Sequence, residues 1–142
     1  MRLATLTALL MLGCNDTGPG IINNPDDLEP DQDTEPPVVT TDPIEDAQIL
    51  GEDVLIDANA IDELSSVVLV TVHYKQETST VWDDVILRQV DTAGNWTGYI
   101  PGNDVASAGM DYYISAIDGA ENEGFAPEDG EDDPYHFRIS TP

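Results

Sequence analysis

The chain has 142 residues, of which 29 are Asp or Glu and 4 are Lys or Arg, giving a formal charge of -25 at pH 7. Such a charge repels nucleic-acid phosphates and anionic lipid headgroups, which excludes a DNA or RNA partner and a polybasic membrane contact. The length suits one domain, 40% apolar residues allow it a core, and one cysteine excludes an internal disulfide and a Cys-based zinc site.

The first 13 residues are organised like an export signal. Arg2 supplies the positive start, and Leu3 to Leu12 form an apolar run broken only by small Ala and Thr. That run is too short to cross a bilayer, which takes about 20 residues. It ends in Met11-Leu12-Gly13-Cys14, and polar residues follow at once with Asn15-Asp16-Thr17. This resembles the lipobox of bacterial lipoproteins, in which a small residue precedes a cysteine. Met11 and Leu12 depart from the Leu and the small residue usual there. The resemblance implies a signal peptide over 1–13, cleavage before Cys14, and acylation of Cys14 by palmitate-type chains. Two or three chains hold a protein at a membrane durably, whereas one does so only reversibly. Asn15 in place of Asp implies, by the sorting rule of enteric lipoproteins, the outer membrane as destination.

Residues 14–37 read as a stalk, disordered and acidic. Positions 15–37 hold seven acids, five prolines and no Lys or Arg. A segment of that composition buries too little surface to offset its ordering entropy, and its like charges extend it. Within it, Asp31-x-Asp33-x-Glu35 matches the opening of an EF-hand loop. Pro36 stands where that loop requires glycine, and no helix flanks it, so these acids are expected to be solvated.

From Val38 to Pro142 the periodicity is two, the signature of strands. Val54, Ile56, Ala58 and Ala60 mark one inward set, and Val70, Val72 and Tyr74 the next. Val85 and Leu87 form a short set. Trp96, Gly98 and Ile100 follow the turn Thr92-Ala93-Gly94-Asn95, then come Met110, Tyr112, Ile114 and Ala116, and finally Tyr135, Phe137 and Ile139. The pattern predicts an all-β fold, a single β-sandwich of about seven antiparallel strands over residues 38–142.

Pro36-Pro37-Val38-Val39, Tyr112-Tyr113-Ile114-Ser115-Ala116-Ile117-Asp118 and Pro134-Tyr135-His136-Phe137 resemble the bacterial immunoglobulin-like or fibronectin type III-like modules. In those modules a Tyr-x-(Ile/Val)-x-Ala stretch forms strand F, and an Asp-x-x-Gly-Asn turn often follows. Here that turn reads Asp118-Gly119-Ala120-Glu121-Asn122, without the glycine at its fourth position.

No motif for catalysis is present. The only histidines, His73 and His136, fall on the outward parity of their strands. There is no Gly-x-Ser-x-Gly elbow, phosphate-cradling loop or His-Glu-x-x-His, and Asp83 and Asp84 point to opposite faces of one strand. The expectation is that the chain is not an enzyme. If strands C, F and G are neighbours, as the resemblance implies, one outward face collects His73, Lys75, Tyr113, Ile117, His136 and Arg138, with Arg88 on the adjoining C′ strand. Such a face could receive a protein partner of the envelope, with Tyr113 and Arg138 as anchors. No cofactor is called for, apart from calcium held by Asp118, Glu121, Glu123, Asp129 and Asp132 of the acidic F–G connection. The expected function is that of an envelope lipoprotein displaying a binding or structural module. The alternative is an accessory module of the same fold that binds calcium, or carbohydrate through Trp82.

Overall fold

The computed structural model describes residues 33–106 and 109–141. The signal segment 1–13, Cys14 and the stalk through residue 32 lie outside the described residues. Ten strands follow one another: β1 (Val38–Thr41), β2 (Gln48–Ile49), β3 (Val54–Ile61), β4 (Val67–Gln76), β5 (Asp83–Ile86), β6 (Arg88–Gln89), β7 (Asn95–Ile100), β8 (Gly109–Asp118), β9 (Glu123–Ala126) and β10 (Tyr135–Ser140). Among the described residues there is no α-helix, and no helix is long and apolar enough to cross a membrane.

The strands form two sheets. One has four strands in the order β1-β3-β7-β6, and the other has six, β2-β10-β8-β4-β5 with β9 also on β8. Every pair is antiparallel except β2 with β10. Side chains alternate across a pleated strand, so each sheet turns one apolar face inward. Val54, Ile56, Ala58, Ala60, Trp96 and Ile100 come from the first sheet; Val70, Val72, Tyr74, Met110, Tyr112, Ile114, Ala116 and Phe137 come from the second. The result is an all-β sandwich whose inward parity follows the alternation of the sequence.

Ten strands replace the expected seven. β2 and β6 have two residues each, too few to carry a period. β9 is hidden because its inward residues are Gly124 and Ala126, which give no hydrophobic signal. The space there is taken by Pro37, since a Cβ on Gly124 would lie 2.0 Å from the Pro37 carbonyl oxygen. Asp33 and Pro37 are both buried, and the Asn122 side-chain amide donates to the Asp33 carbonyl at 3.2 Å. The boundary expected at residue 38 therefore falls inside the packed unit.

One edge of β8 is lined by β4 along almost its whole length. The other is shared, with β10 pairing 109–112 and β9 pairing 114–117. Between β9 and β10 the chain leaves the sheet over 127–134, and this excursion, not a simple F–G loop, carries Glu128, Asp129, Glu131, Asp132 and Asp133. Tyr112, fully buried, accepts a hydrogen bond from the Ile44 N–H at 2.9 Å and so fastens the β1–β2 connection over the core.

Candidate functional site

The outer face of the six-stranded sheet is built by register. Pairing of β4 with β8 sets His73 opposite Tyr113 and Lys75 opposite Asp111, β5 sets Asp84 opposite His73, and β10 sets His136 opposite Asp111. The His73 ring stacks on Tyr113 with centroids 4.4 Å apart and an interplanar angle of 17°. Trp82 meets Tyr113 edge-on at 5.0 Å, and Phe125 lies 6.2 Å from it on the other side. Lys75 donates to Asp111 Oδ2 at 2.9 Å while its ammonium sits 5.1 Å from the centre of the Trp82 ring. Asp111 Oδ1 also meets His136 Nδ1 at 2.8 Å.

Burial pushes the Asp111 carboxyl up, but the contacts from His136 and Lys75 outweigh it and hold the group below the usual carboxylate range. The Tyr113 phenol is raised, first by burial and then by the charges of Glu131, Asp84 and Glu123. Ile117 is half-buried on the same face, and Arg138 is exposed there. Arg88 departs from expectation. The chain changes sheets at Leu87, whose N–H donates to Val70 at 2.9 Å, and Arg88 then pairs with Thr97 in the four-stranded sheet.

His73 makes two further contacts, Nδ1 to Asp84 Oδ1 at 2.6 Å and Nε2 to Ser115 Oγ at 2.9 Å. A nucleophilic serine uses the same order of contacts. Here Ser115 is buried, with 4% of its surface exposed, on a strand paired to Thr71 on one edge and Phe125 on the other. The trio orients His73 against Tyr113.

A second constellation lies at one end of the sandwich. One carboxylate oxygen each from Asp33, Asp62 and Asp118 lies within 4.8 Å of the others. Asp118, 1% exposed at the end of β8, accepts from Ala120 N at 2.9 Å, Asn122 N at 2.8 Å and Asn122 Nδ2 at 2.9 Å. Burial raises its carboxyl, but these donors and the Ser65 hydroxyl hold it lower than usual. Asp62, just after β3, takes Leu64 N at 2.8 Å and Ser65 N at 2.6 Å on Oδ1. Of the calcium ligands expected from sequence, only Asp118 belongs to this group. Glu121, Glu123, Asp129 and Asp132 are exposed and are not gathered around it. From sequence Asp33 is expected to be solvated, since Pro36 breaks the EF-hand pattern around it, and Asp62 stands in a short turn that carries no ligand spacing.

No protein-family model matches the chain, and no curated protein matches it. Among solved structures it is similar to the endo-β-1,4-mannanase of Thermotoga petrophila, with 8% identity and a TM-score of 0.50 over 78% of this chain and 21% of that one. It is also similar to a β-glucosidase from Listeria innocua solved with glucose, with 12% identity and a TM-score of 0.41 over 73% of this chain and 16% of that one. The chain thus spans about a fifth of the length of the first of these proteins and about a sixth of the second. The mannanase likeness corrects the expectation that the chain is not an enzyme, because a protein with part of this fold is a glycoside hydrolase, and missing motifs do not exclude catalysis. At such identity the mannanase likeness shows the fold alone.

Proposed function

We propose that the chain is a lipoprotein of the bacterial outer membrane, anchored through acylated Cys14, that displays an immunoglobulin-like binding or structural module. The membrane part rests on Arg2, the Leu3–Leu12 run and Gly13-Cys14. The immunoglobulin-like part is supported by strand order. β1-β3-β7-β6 facing β2-β10-β8-β4-β5 corresponds to A-B-E-D facing A′-G-F-C-C′. The outer face of the second sheet is the surface that meets a protein partner of the envelope. The observation that carries this is the row of Phe125, Tyr113 and Trp82, with His73 stacked beneath, on a sheet that also holds Lys75, His136 and Arg138 in a chain with 29 acids. Aromatic and Arg side chains dominate binding energy at such interfaces, and truncating a central one weakens binding about 30-fold or more.

The test is crosslinking in intact cells, followed by pulldown with the captured envelope protein. Tyr113→Ala combined with Arg138→Glu is expected to abolish the pulldown and to keep the strand signature in circular dichroism. A folded double variant that still retains the partner refutes the assignment of the face. Carbohydrate is the second reading, favoured by the three neighbouring rings. Adsorption to insoluble β-mannan that Tyr113→Ala removes would select it over a protein partner.

A further inference from the structure

We propose that Asp33, Asp62 and Asp118 form a calcium site that fastens the segment entering the sandwich to two of its turns. The three carboxylates come from separate parts of the chain, before β1, after β3 and at the end of β8, and each brings one oxygen within 4.8 Å of the other two. Asp33 is 4% exposed, and its Oδ2 is buried with no hydrogen-bond partner. A buried carboxylate oxygen without a donor is rare in folded proteins and points to a ligand. The ion pairs of the described residues use His73, Lys75 and His136, all on the outer face of the six-stranded sheet. None of them neutralises the triad.

The turns alone do not account for the cluster. The Asp91–Asn95 turn repeats the hydrogen bonds of Asp118–Asn122, with Asp91 accepting from Ala93 N, Asn95 N and Asn95 Nδ2. It does so without joining such a group of carboxylates. Asp33 and Asp62 are therefore additional to what the Asp118 turn requires. Each of the three also keeps one oxygen on backbone donors, as Asp33 Oδ1 does with the Glu35 N–H at 3.0 Å, which orients the carboxylate before any ion arrives.

The donor set selects the ion. Three carboxylates and no nitrogen or sulfur suit a hard cation rather than zinc. Mg²⁺ requires near-ideal octahedral geometry at about 2.0–2.1 Å, which groups fixed by three separate segments meet poorly. Ca²⁺ accepts irregular shells at about 2.3–2.6 Å, a range that oxygens within 4.8 Å of one another can share around one ion. The site goes beyond the proposed function and does not depend on membrane attachment or on the outer face. What it determines is whether Asp33 and the residues leading into β1 are fastened to the turns that carry Asp62 and Asp118.

The experiment uses the full chain after chelator treatment, melted in about 10 mM CaCl₂, in MgCl₂, and in NaCl at matched ionic strength. With a dissociation constant near 1 mM, as in extracellular calcium modules, that calcium shifts the folding equilibrium about tenfold and raises Tm by about 6–10 °C. Asp33→Asn is expected to lose the rise that exceeds the NaCl control, while the Asp129→Asn/Asp132→Asn pair, altered only at exposed acids, is expected to keep it. An equal rise in NaCl, or an undiminished calcium rise in Asp33→Asn, overturns the site. Calorimetric titration of the unaltered chain with CaCl₂ keeps the question open to refutation even if Asp33→Asn fails to fold. A saturable one-to-one isotherm supports the site, and its absence overturns it.

Discussion

Glu121 occupies a backbone position that its own side chain disfavours. In the Asp91–Asn95 turn the fourth residue is Gly94, with φ +84°. In the Asp118–Asn122 turn the same place is taken by Glu121, with φ +68°. The two turns have matching hydrogen bonds, with the aspartate oxygens 2.8–3.2 Å from their donors in the first and 2.8–2.9 Å in the second. The difference is thus a Cβ in the left-handed region, which costs an L-residue about 1–2 kcal/mol. Glu121→Gly removes that cost and returns about 0.5–1 kcal/mol through the greater freedom of glycine in the unfolded chain. The net expectation is a gain of about 0.5–1 kcal/mol, or roughly 2–8 °C in Tm for a domain of this size. Urea unfolding should show a higher midpoint at an unchanged m-value. Because Glu121 is exposed in an acidic chain, Glu121→Gln serves as the control that removes charge and keeps the backbone strain. Equal gains from Glu121→Gln and Glu121→Gly would refute the backbone explanation. The mirror change, Gly94→Ala, should destabilise by more than the strain alone, since its Cβ would lie 2.6 Å from Ile61 Cγ2 and 2.7 Å from the Ala60 carbonyl oxygen.

Tyr112→Phe keeps the ring in the core but leaves the Ile44 N–H without its acceptor, so chemical denaturation should show a loss of about 1–2 kcal/mol; unaltered stability would mean the β1–β2 connection is not held there. Asp111→Asn should lower stability by about 1 kcal/mol near neutral pH, because Lys75 and His136 lose the carboxylate between them. The folded pKa of Asp111 lies below its unfolded value, so its contribution is present above about pH 4 and disappears as pH falls through the folded value. The gap between the two proteins should therefore close in melts taken at progressively lower pH, and a constant gap down to about pH 2 would contradict the pairing.

What was legible in the sequence came from spacing within one strand. Val54 to Ala60, Val70 to Tyr74 and Met110 to Ala116 face the core as their alternation requires, because a pleated strand turns every second side chain the same way. The same parity put His73, Lys75, Tyr113 and His136 outward. Their contacts needed the register: whether Lys75 meets Asp111 or another residue depends on how β4 lies against β8. Arg88 was misplaced because alternation continues smoothly through Val85 and Leu87, while the change of sheet at Leu87 depends on a tertiary hydrogen bond to Val70. β9 is hidden because its inward residues, Gly124 and Ala126, give no hydrophobic signal, and the reason Gly124 lacks a side chain, the Pro37 carbonyl oxygen packed where its Cβ would be, lies elsewhere in the chain.

By itself, then, the sequence determined the fold class, the inward residues of the long strands and the anionic character of the surface, all properties of composition and nearest neighbours. Only the tertiary structure decided that Asp33, in a proline-rich run with every mark of a solvated stalk, is buried beside Asp62 and Asp118. Composition reports the average affinity of a segment for water, and seven acids with five prolines average to disorder. The place of one residue is set by what meets it across the fold, here the Asn122 side-chain amide, which bonds both the Asp33 carbonyl and Asp118 at the end of β8. No local rule joins three positions so far apart in the chain.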